Sequence, residues 1–310
     1  MLQLLVPPTG LKRMCLEGYN STSFPGWLMD ISRHLTHLDS IQLSDLPMCT
    51  NLPPLGQLLH LEKLSLWKLP GIKRIERGLC GGKGAFRRLS SFSITWMEGL
   101  EEWNTAYSVE DGVKEFMFPV LDRLEILGCP RLRLKPCPPT FRECYIEWSD
   151  QVISSLEEVD ITSHHSSSSS GAIKLALTIQ DDSSPSMRLF HHFPALRELT
   201  ISGVHLTNVP ESMRHLTSLE SLTLQRCYRI SALPEWLGHL SSLKSLVIAG
   251  CDGIKSLPAC IQQLTKLQTL EISCCTELEK WCESEENKTK LAHISNVRVS
   301  SLHADQLHFI

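Results

Sequence analysis

The chain repeats itself with a fixed period, and this feature constrains its fold more than any other. An apolar pattern that starts at Leu219 returns at Leu243 and again at Leu267, so the period is 24 residues twice in succession. Each copy has further apolar residues three and five positions after its start, and the first two copies close on Leu-Pro, at Leu233 and Leu257. Such a short period predicts a solenoid in which each repeat packs only against its neighbours.

The same pattern extends towards the N-terminus in a less regular form. Further copies begin at Leu196, Leu121, Leu89, Leu61 and Leu38, with weaker ones at Phe141 and Leu11. The ten or eleven repeats average about 26 residues. Repeats of 20 to 29 residues with this leucine spacing are typical of leucine-rich repeats.

The spacing within a repeat also predicts its local structure. In each LxxLxL segment the last two leucines alternate with polar residues, which indicates a short strand with one buried face. Proline after the strand-distal leucine fixes φ and begins a return segment. The sequence therefore predicts an α/β leucine-rich repeat solenoid: a curved horseshoe with a parallel β-sheet on the concave face and mostly irregular or short helical convex segments.

Irregular stretches divide this solenoid. Residues 1–162 are predicted to be degenerate N-terminal repeats that contain a basic stretch, 70–88, and an acidic stretch, 98–115. Both stretches lengthen their repeats, to 28 and 32 residues, so we expect them on loops rather than in the core. Residues 163–171, SHHSSSSSG, are predicted to be a flexible loop. Residues 172–310 are predicted to be regular C-terminal repeats with a cap.

Charge and hydropathy limit the classes of partner. The formal net charge is -4, from 30 basic and 34 acidic residues, so the overall balance indicates neither a nucleic-acid partner nor an anionic membrane. No segment approaches the 18 uninterrupted apolar residues of a membrane span, and the N-terminal MLQLLVPPTG lacks the basic start of a secretory signal. We expect a soluble, cytoplasmic protein.

Residue patterns that carry catalytic or metal chemistry are weak. The stretch GLCGGKGAF, 78–86, is one residue short of a phosphate-binding P-loop and has Gly84 where that motif needs Ser or Thr. No CxxC pair accompanies the pairs His164-His165 and His191-His192, so a structural zinc site is not expected. The sequence also has no glycine-bounded nucleophile elbow. We therefore predict no enzyme activity, no cofactor and no metal.

Four cysteines share one position of the repeat, three residues after the last strand leucine. They are Cys129, Cys227, Cys251 and Cys275. Cysteine is a small hydrophobe with a weak S–H donor, so we predict a buried structural ladder. Neighbouring strands lie about 4.8 Å apart, which leaves a disulfide between adjacent cysteines as an alternative, although a reducing cytosol argues against it.

The repeat form resembles that of a known family. LESLTLQRCYRISALPEWLGHL (219–240), FPGWLMD (24–30), LPPLGQLLHLEKLSLWKLPGIKRI (52–75) and KLAHISNVRVSS (290–301) carry the resemblance. Together they resemble the leucine-rich repeat domain of plant intracellular nucleotide-binding disease resistance proteins of the coiled-coil class. The resemblance covers nearly the whole chain but does not include the nucleotide-binding module.

The resemblance implies a protein-interaction domain in plant defence. Its expected partners are a pathogen effector or a guarded host protein, and it is expected to restrain the nucleotide-binding module of the full receptor. A basic site for docking that module is predicted at Lys73, Arg74, Arg87 and Arg88. The alternative is a general leucine-rich repeat scaffold or a ubiquitin-ligase substrate adaptor.

Partner-binding residues are expected between the buried strand leucines, on the concave face. The candidates are Trp67, Arg123, Glu125, Tyr145, Glu147, Glu198, Gln225 and Glu271. Aromatic and arginine side chains dominate the energetics of protein interfaces, which favours Trp67, Arg123 and Tyr145. The alternative for each residue is an ordinary solvated position on the strand.

Overall fold

The computed structural model describes residues 6–82, 84–108, 114–135, 141–157, 173–179 and 189–300. Two compact units divide the chain, Met1–Ser170 and Gly171–Ile310. The serine-rich segment 163–171, predicted to be a flexible loop, lies outside the described residues.

The first unit is built on a parallel sheet. Its strands in chain order are β1 (Arg13–Glu17), β2 (Ser40–Ser44), β3 (Lys63–Trp67), β4 (Arg74–Ile75), β5 (Ser91–Thr95), β6 (Glu102–Asn104), β7 (Ala106–Ser108), β8 (Lys114–Phe116), β9 (Arg123–Leu127), β10 (Arg133–Lys135) and β11 (Glu143–Glu147). Six of these, in the order β1-β2-β3-β5-β9-β11, form the main sheet. Each comes from one LxxLxL segment, so sequential repeats are also spatial neighbours.

The register of this sheet places the leucine positions of successive repeats side by side. Leu64 of β3 is paired with Phe92 of β5, which is paired with Leu124 of β9. All three side chains are buried, whereas the residues between them on each strand are partly exposed. Because side chains alternate across a strand, one face of the sheet forms the core and the other, which we call the strand face, carries the polar residues.

The two charged stretches differ from the predicted loops. Strand β4 lies in the basic stretch, and β6 lies in the acidic stretch between them and β10 in a second, three-stranded parallel sheet. Ile75 of β4 and Trp103 of β6 are completely buried. Strands β7 and β8 form an antiparallel pair beside this sheet in sequence. The long repeats therefore contribute to the core through a few apolar residues among the charges.

Short helices complete the first unit. They are α1 (Gly26–Met29), α2 (Ile31–His34) and α3 (Asp150–Glu157). Trp27 and Leu28 of α1 and Ile31 of α2 are buried. The return segments thus carry apolar residues back to the core.

The second unit has the more regular repeats. Its strands are β12 (Lys174–Thr178), β13 (Glu198–Ser202), β14 (Ser221–Gln225), β15 (Ser245–Ala249), β16 (Thr269–Ser273) and β17 (Asn296–Ser300), paired in parallel in that order. Three 3-10 turns, Glu211–His215, Glu235–His239 and Ala259–Gln263, each follow a proline of the return segment. Helices α4 (Thr276–Glu283) and α5 (Glu285–Leu291) precede the last strand.

The predicted fold class, an α/β leucine-rich repeat solenoid with a parallel sheet, is confirmed in these strands. In the part of the chain that the structure describes, no helix has the length and apolar character needed to cross a membrane.

Candidate functional site

Strands β9 and β11 bring four of the predicted partner-binding residues together on the strand face. They are neighbours in the sheet, and their register pairs Glu125 with Tyr145 and Leu127 with Glu147. At the start of the two strands Arg123 is paired with Glu143. All of these side chains belong to the partly exposed face of their strands. We call Arg123, Glu125, Glu143, Tyr145 and Glu147 the β9–β11 cluster.

Arg123 is the centre of this cluster. Its Nη2 and Nε donate to Oε1 of Glu125 at 2.6 Å and 2.9 Å, and its Nη1 donates to Oε2 of Glu143 at 2.9 Å. The guanidinium carbon lies 4.6 Å from the centroid of the Tyr145 ring, and the Tyr145 hydroxyl donates to the same Glu143 oxygen at 3.3 Å. The hydrogen bond to Glu125 raises the pKa of Arg123, which keeps the guanidinium charged. Two carboxylates and a ring therefore hold this side chain in place.

Glu143 was missed by the sequence analysis. It occupies the first residue of β11, and only the register with β9 shows that it meets Arg123. A signal was available, because Arg123 and Glu143 occupy the same position of consecutive repeats. Opposite charges at equivalent positions of adjacent repeats are neighbours on parallel strands.

A cavity opens beside the cluster. Its volume is about 210 Å³, and it is lined by Thr95, Glu125, Ile126, Leu127, Tyr145 and Glu147. Two carboxylates and one aromatic ring thus line a depression on an otherwise exposed strand face.

Two exposed tryptophans stand at the edge of this surface. Trp96 directly follows β5 and Trp148 directly follows β11, and they are 44% and 47% exposed. Both have positive φ, 54° and 57°. The Trp96 ring lies against Gly128, where an added Cβ would come within 2.5 Å of its Cε3 atom. Large side chains at positive φ are uncommon, and strained residues of this kind often mark ligand-binding sites.

The strain at these positions comes from the repeat itself. The residue after each of nine main strands has positive φ: Gly18, Asp45, Lys68, Trp96, Gly128, Trp148, Arg226, Gly250 and Cys274. The backbone N–H of Trp96 donates to the carbonyl oxygen of Leu127, the last residue of the next strand, at 2.7 Å. The turn favours glycine, so the two tryptophans are retained against the conformational preference of the position.

The remaining predicted partner-binding residues are separate from the cluster. Trp67 ends β3 and has the Nζ atom of Lys68 4.4 Å from its ring centroid. In the second unit Glu198 lies on β13, with its Oε2 3.6 Å from Nζ of Lys174. Gln225 and Glu271 lie on β14 and β16. Their neighbours on the strand face are mainly serine and threonine, so these positions form no comparable charged group.

The four basic residues predicted as a docking site are also divided by the structure. Lys73 and Arg74 line a depression of about 380 Å³ with Thr50, Asn51, Leu52, Glu76, Gly78 and Leu79. Arg87 and Arg88 are not among its lining residues. Arg87 donates to the carbonyl oxygen of Gly84 at 3.1 Å, and Arg88 Nη1 lies 3.1 Å from Nδ1 of His60.

The four cysteines predicted as a ladder are buried side chains with free thiols. Sγ of Cys251 lies 3.6 Å from the carbonyl oxygens of Ala249 and of Leu224 in the preceding repeat. The backbone N–H of Cys251 lies 3.1 Å from Sγ of Cys275. The hydrogen bond to Cys227 raises the pKa of Cys251 to about 12. Because the thiolate is the reactive form, such a thiol is a poor nucleophile.

Sequence reasoning missed one member of the first unit's ladder. Ser149 is completely buried, and its Oγ accepts a hydrogen bond from the backbone N–H of Cys129 at 3.0 Å and donates one to the carbonyl oxygen of Glu147 at 2.9 Å. It holds the position of the cysteines, so alignment of the repeats would have identified it. Among the described residues, no group of three or more His, Cys, Asp or Glu is arranged to hold a metal ion.

Comparisons of the sequence with known proteins match both ends of the chain. A family model described as R13L1/DRL21 leucine-rich repeats matches residues 1–69, and a leucine-rich repeat region model matches residues 175–308. A putative disease resistance protein of Arabidopsis thaliana is 34% identical over 139 residues, which cover 44% of this chain and 9% of that protein. The putative disease resistance RPP13-like protein 1 of the same plant is 28% identical over 137 residues, covering 43% and 13%.

The aligned part of the chain therefore spans only about a tenth of the length of these curated relatives. Among solved structures, the TLR13–ssRNA13 complex has a TM-score of 0.52 at 17% identity, covering 97% of this chain and 38% of that one. The Drosophila Toll–Spatzle complex has a TM-score of 0.50 at 13% identity, covering 96% and 41%. At these identities the likeness concerns the fold alone.

Proposed function

Because this chain is a leucine-rich repeat region of the kind found in plant disease resistance proteins, we propose that it is the recognition domain of a cytoplasmic immune receptor. It binds a pathogen effector or a guarded host protein through the strand face of the first unit. The observation that carries this proposal is the β9–β11 cluster with its cavity and the flanking Trp96 and Trp148. Exposed aromatic and arginine side chains around a depression are characteristic of the energetic centre of protein interfaces.

The charge of this surface favours a protein over a nucleic acid as the partner. Three carboxylates, on Glu125, Glu143 and Glu147, face one guanidinium, on Arg123, which leaves an excess of two negative charges in the cluster. Nucleic acids bind largely through phosphate contacts to basic side chains, so an acidic face opposes them.

The recognition role predicts a loss of resistance when this surface is changed. Plants that carry the double variant Tyr145→Ala/Trp148→Ala in place of the natural gene should lose resistance to at least one pathogen that wild-type plants resist. The physical reason is that removal of interface aromatic side chains costs about 2 kcal/mol or more, a roughly 30-fold loss in affinity. Pathogen growth in the leaf is the measurement, with protein level monitored by immunoblot.

A matched control is available on the strand face of the second unit. The variant Thr223→Ala/Gln225→Ala changes two residues of β14 and should leave resistance intact. If deletion of the whole gene leaves resistance to every pathogen in the panel unchanged, the defence role is wrong. If deletion abolishes resistance but the Tyr145/Trp148 variant does not, recognition occurs elsewhere on the chain.

We further propose that the depression around Lys73 and Arg74 restrains the nucleotide-binding module of the full receptor. The support is its charge and exposure: Arg74 forms one long ion pair, 3.8 Å to Glu76, in which both side chains are more than half exposed. Such a pair contributes little by itself, so the guanidinium can bind an acidic surface at small cost.

Restraint predicts a gain of activity on charge reversal. The variant Lys73→Glu/Arg74→Glu of the full-length receptor should trigger cell death in leaves without a pathogen, because like charges would then repel the acidic surface of the module. Ion leakage from the tissue is the measurement. The exposed Arg229, changed to glutamate, and the pair Arg87→Glu/Arg88→Glu outside the depression are the controls. Equal ion leakage in all variants would contradict the restraint.

A further inference from the structure

We infer that the cavity beside the β9–β11 cluster binds an arginine side chain of the protein partner. This inference rests on the proposed function of the strand face as a recognition surface, and it specifies the chemistry of what is recognised. Its basis is two carboxylates with vacant acceptor positions, an aromatic wall and a volume suited to one side chain.

The first step concerns the carboxylates. Both hydrogen bonds from Arg123 to Glu125 end on Oε1, and none of the described residues donates to Oε2. The carboxylate of Glu147 likewise receives no hydrogen bond or ion pair from any residue in the described ranges. Both side chains line the cavity. The cavity therefore offers acceptors that the fold leaves available.

Their separation suits a cation between them. Glu125 and Glu147 lie diagonally on adjacent strands, one strand apart and two residues along. A strand spacing of about 4.8 Å and a rise of about 3.3 Å per residue place their Cβ atoms roughly 8 Å apart. A guanidinium between them can reach both carboxylates with charge-assisted hydrogen bonds, whose planar fork geometry favours arginine over lysine.

The protein's own Arg123 demonstrates this mode of binding at the same site. Its guanidinium contacts two carboxylates at 2.6 Å and 2.9 Å and lies over the Tyr145 ring. Tyr145 also lines the cavity, and Trp148 follows the Glu147 that lines it. Aromatic faces attract cations by about 0.5–2 kcal/mol, so the wall and the carboxylates favour the same ligand.

Charge and size exclude other occupants. The cluster keeps two excess negative charges after Arg123 is counted, so an anionic ligand is repelled and a cation neutralises part of the excess. The volume of about 210 Å³ is smaller than the roughly 300–1,000 Å³ of sites for drug-sized ligands. A single side chain presented by a protein fits these limits better than a free small molecule.

The test titrates the 310-residue chain with the peptide acetyl-Gly-Arg-Gly-amide and follows the indole N–H resonances of its tryptophans by NMR. Trp96→Phe and Trp148→Phe variants assign the two resonances. We expect a saturable shift of the Trp148 signal, about tenfold weaker binding in Glu147→Gln, and still weaker binding in Glu125→Gln/Glu147→Gln. The citrulline peptide, a neutral isostere of the arginine peptide, should not bind.

Glu271→Gln, on the strand face of the second unit, is the matched control and should bind the arginine peptide as the wild type does. Absence of a shift with the arginine peptide overturns the inference, as does equal binding of the citrulline peptide or by Glu147→Gln. A lysine peptide that binds as tightly as the arginine peptide overturns the choice of a guanidinium.

The two levels of the proposal can be separated. If the arginine peptide fails to bind while Tyr145→Ala/Trp148→Ala plants lose resistance, the recognition surface stands and the arginine assignment falls. If the peptide binds as expected while those plants keep their resistance, the cavity is a cation site and the proposed function of this face is wrong.

Discussion

Replacing Phe92 with alanine is expected to lower the free energy of unfolding by about 3–5 kcal/mol. Phe92 lies in the middle of β5 and is completely buried. Its ring meets those of Trp103 and Phe118 edge-on, with centroids 5.2 Å and 4.9 Å away. Removal of the ring would leave a cavity between the main sheet and β6, and both the lost transfer free energy and the cavity contribute to the cost. Urea denaturation followed by circular dichroism is the measurement.

The neighbouring Ser93→Ala is the control, because Ser93 lies on the partly exposed strand face of the same strand. It should change the free energy of unfolding by less than about 0.5 kcal/mol. A loss below about 1 kcal/mol for Phe92→Ala would contradict the aromatic packing that links the two sheets of the first unit.

The main strands could be predicted from the sequence because the physics that forms them is local. Leu246 and Ile248 of β15 alternate with polar or partly exposed positions and recur 24 residues later as Leu270 and Ile272 of β16. One repeat therefore predicts the burial pattern of the next. The regular second unit gives the clearest case, since its return segments also keep the same length.

The second sheet of the first unit could not be predicted in this way. Strands β4 and β6 bury Ile75 and Trp103, but each of these residues stands in a strongly charged stretch and has no periodic partner. Their pairing depends on how two long return segments meet, which is a tertiary effect. Charge alone therefore indicated loops where the structure has short strands.

The candidate site was predictable by residue but not by arrangement. Alternation on β9 and β11 was enough to place Arg123, Glu125, Tyr145 and Glu147 between buried positions. The cavity and the contacts of Arg123 depend on the register between the strands, which follows from the length of one return segment. Trp148 was missed because it follows its strand. Comparison of that position across repeats, where glycine and charged residues are common, would have identified it.

Gly253→Ala is expected to lower the free energy of unfolding by about 3 kcal/mol. Gly253 follows β15 in the turn that leaves the strand, and its Cα faces the backbone of the preceding repeat. An added Cβ would overlap the carbonyl oxygen of Ile230 and come within 2.8 Å of that of Tyr228. Backbone atoms cannot rotate away as a flexible side chain can, so the two repeats would have to separate, at the upper end of the usual cost of overpacking.

The same close approach recurs at equivalent positions of the first unit. Gly71 faces the carbonyl oxygen of Cys49 and Gly99 faces that of Pro70, so glycine at this position sets how closely consecutive repeats can stack. Gly78, by contrast, has no atom within 4 Å of an added Cβ. Gly78→Ala is therefore the control, and it should be neutral or slightly stabilising because alanine restricts the unfolded chain. Equal midpoints of urea denaturation for the Gly253 and Gly78 variants would show that repeat stacking does not depend on this contact.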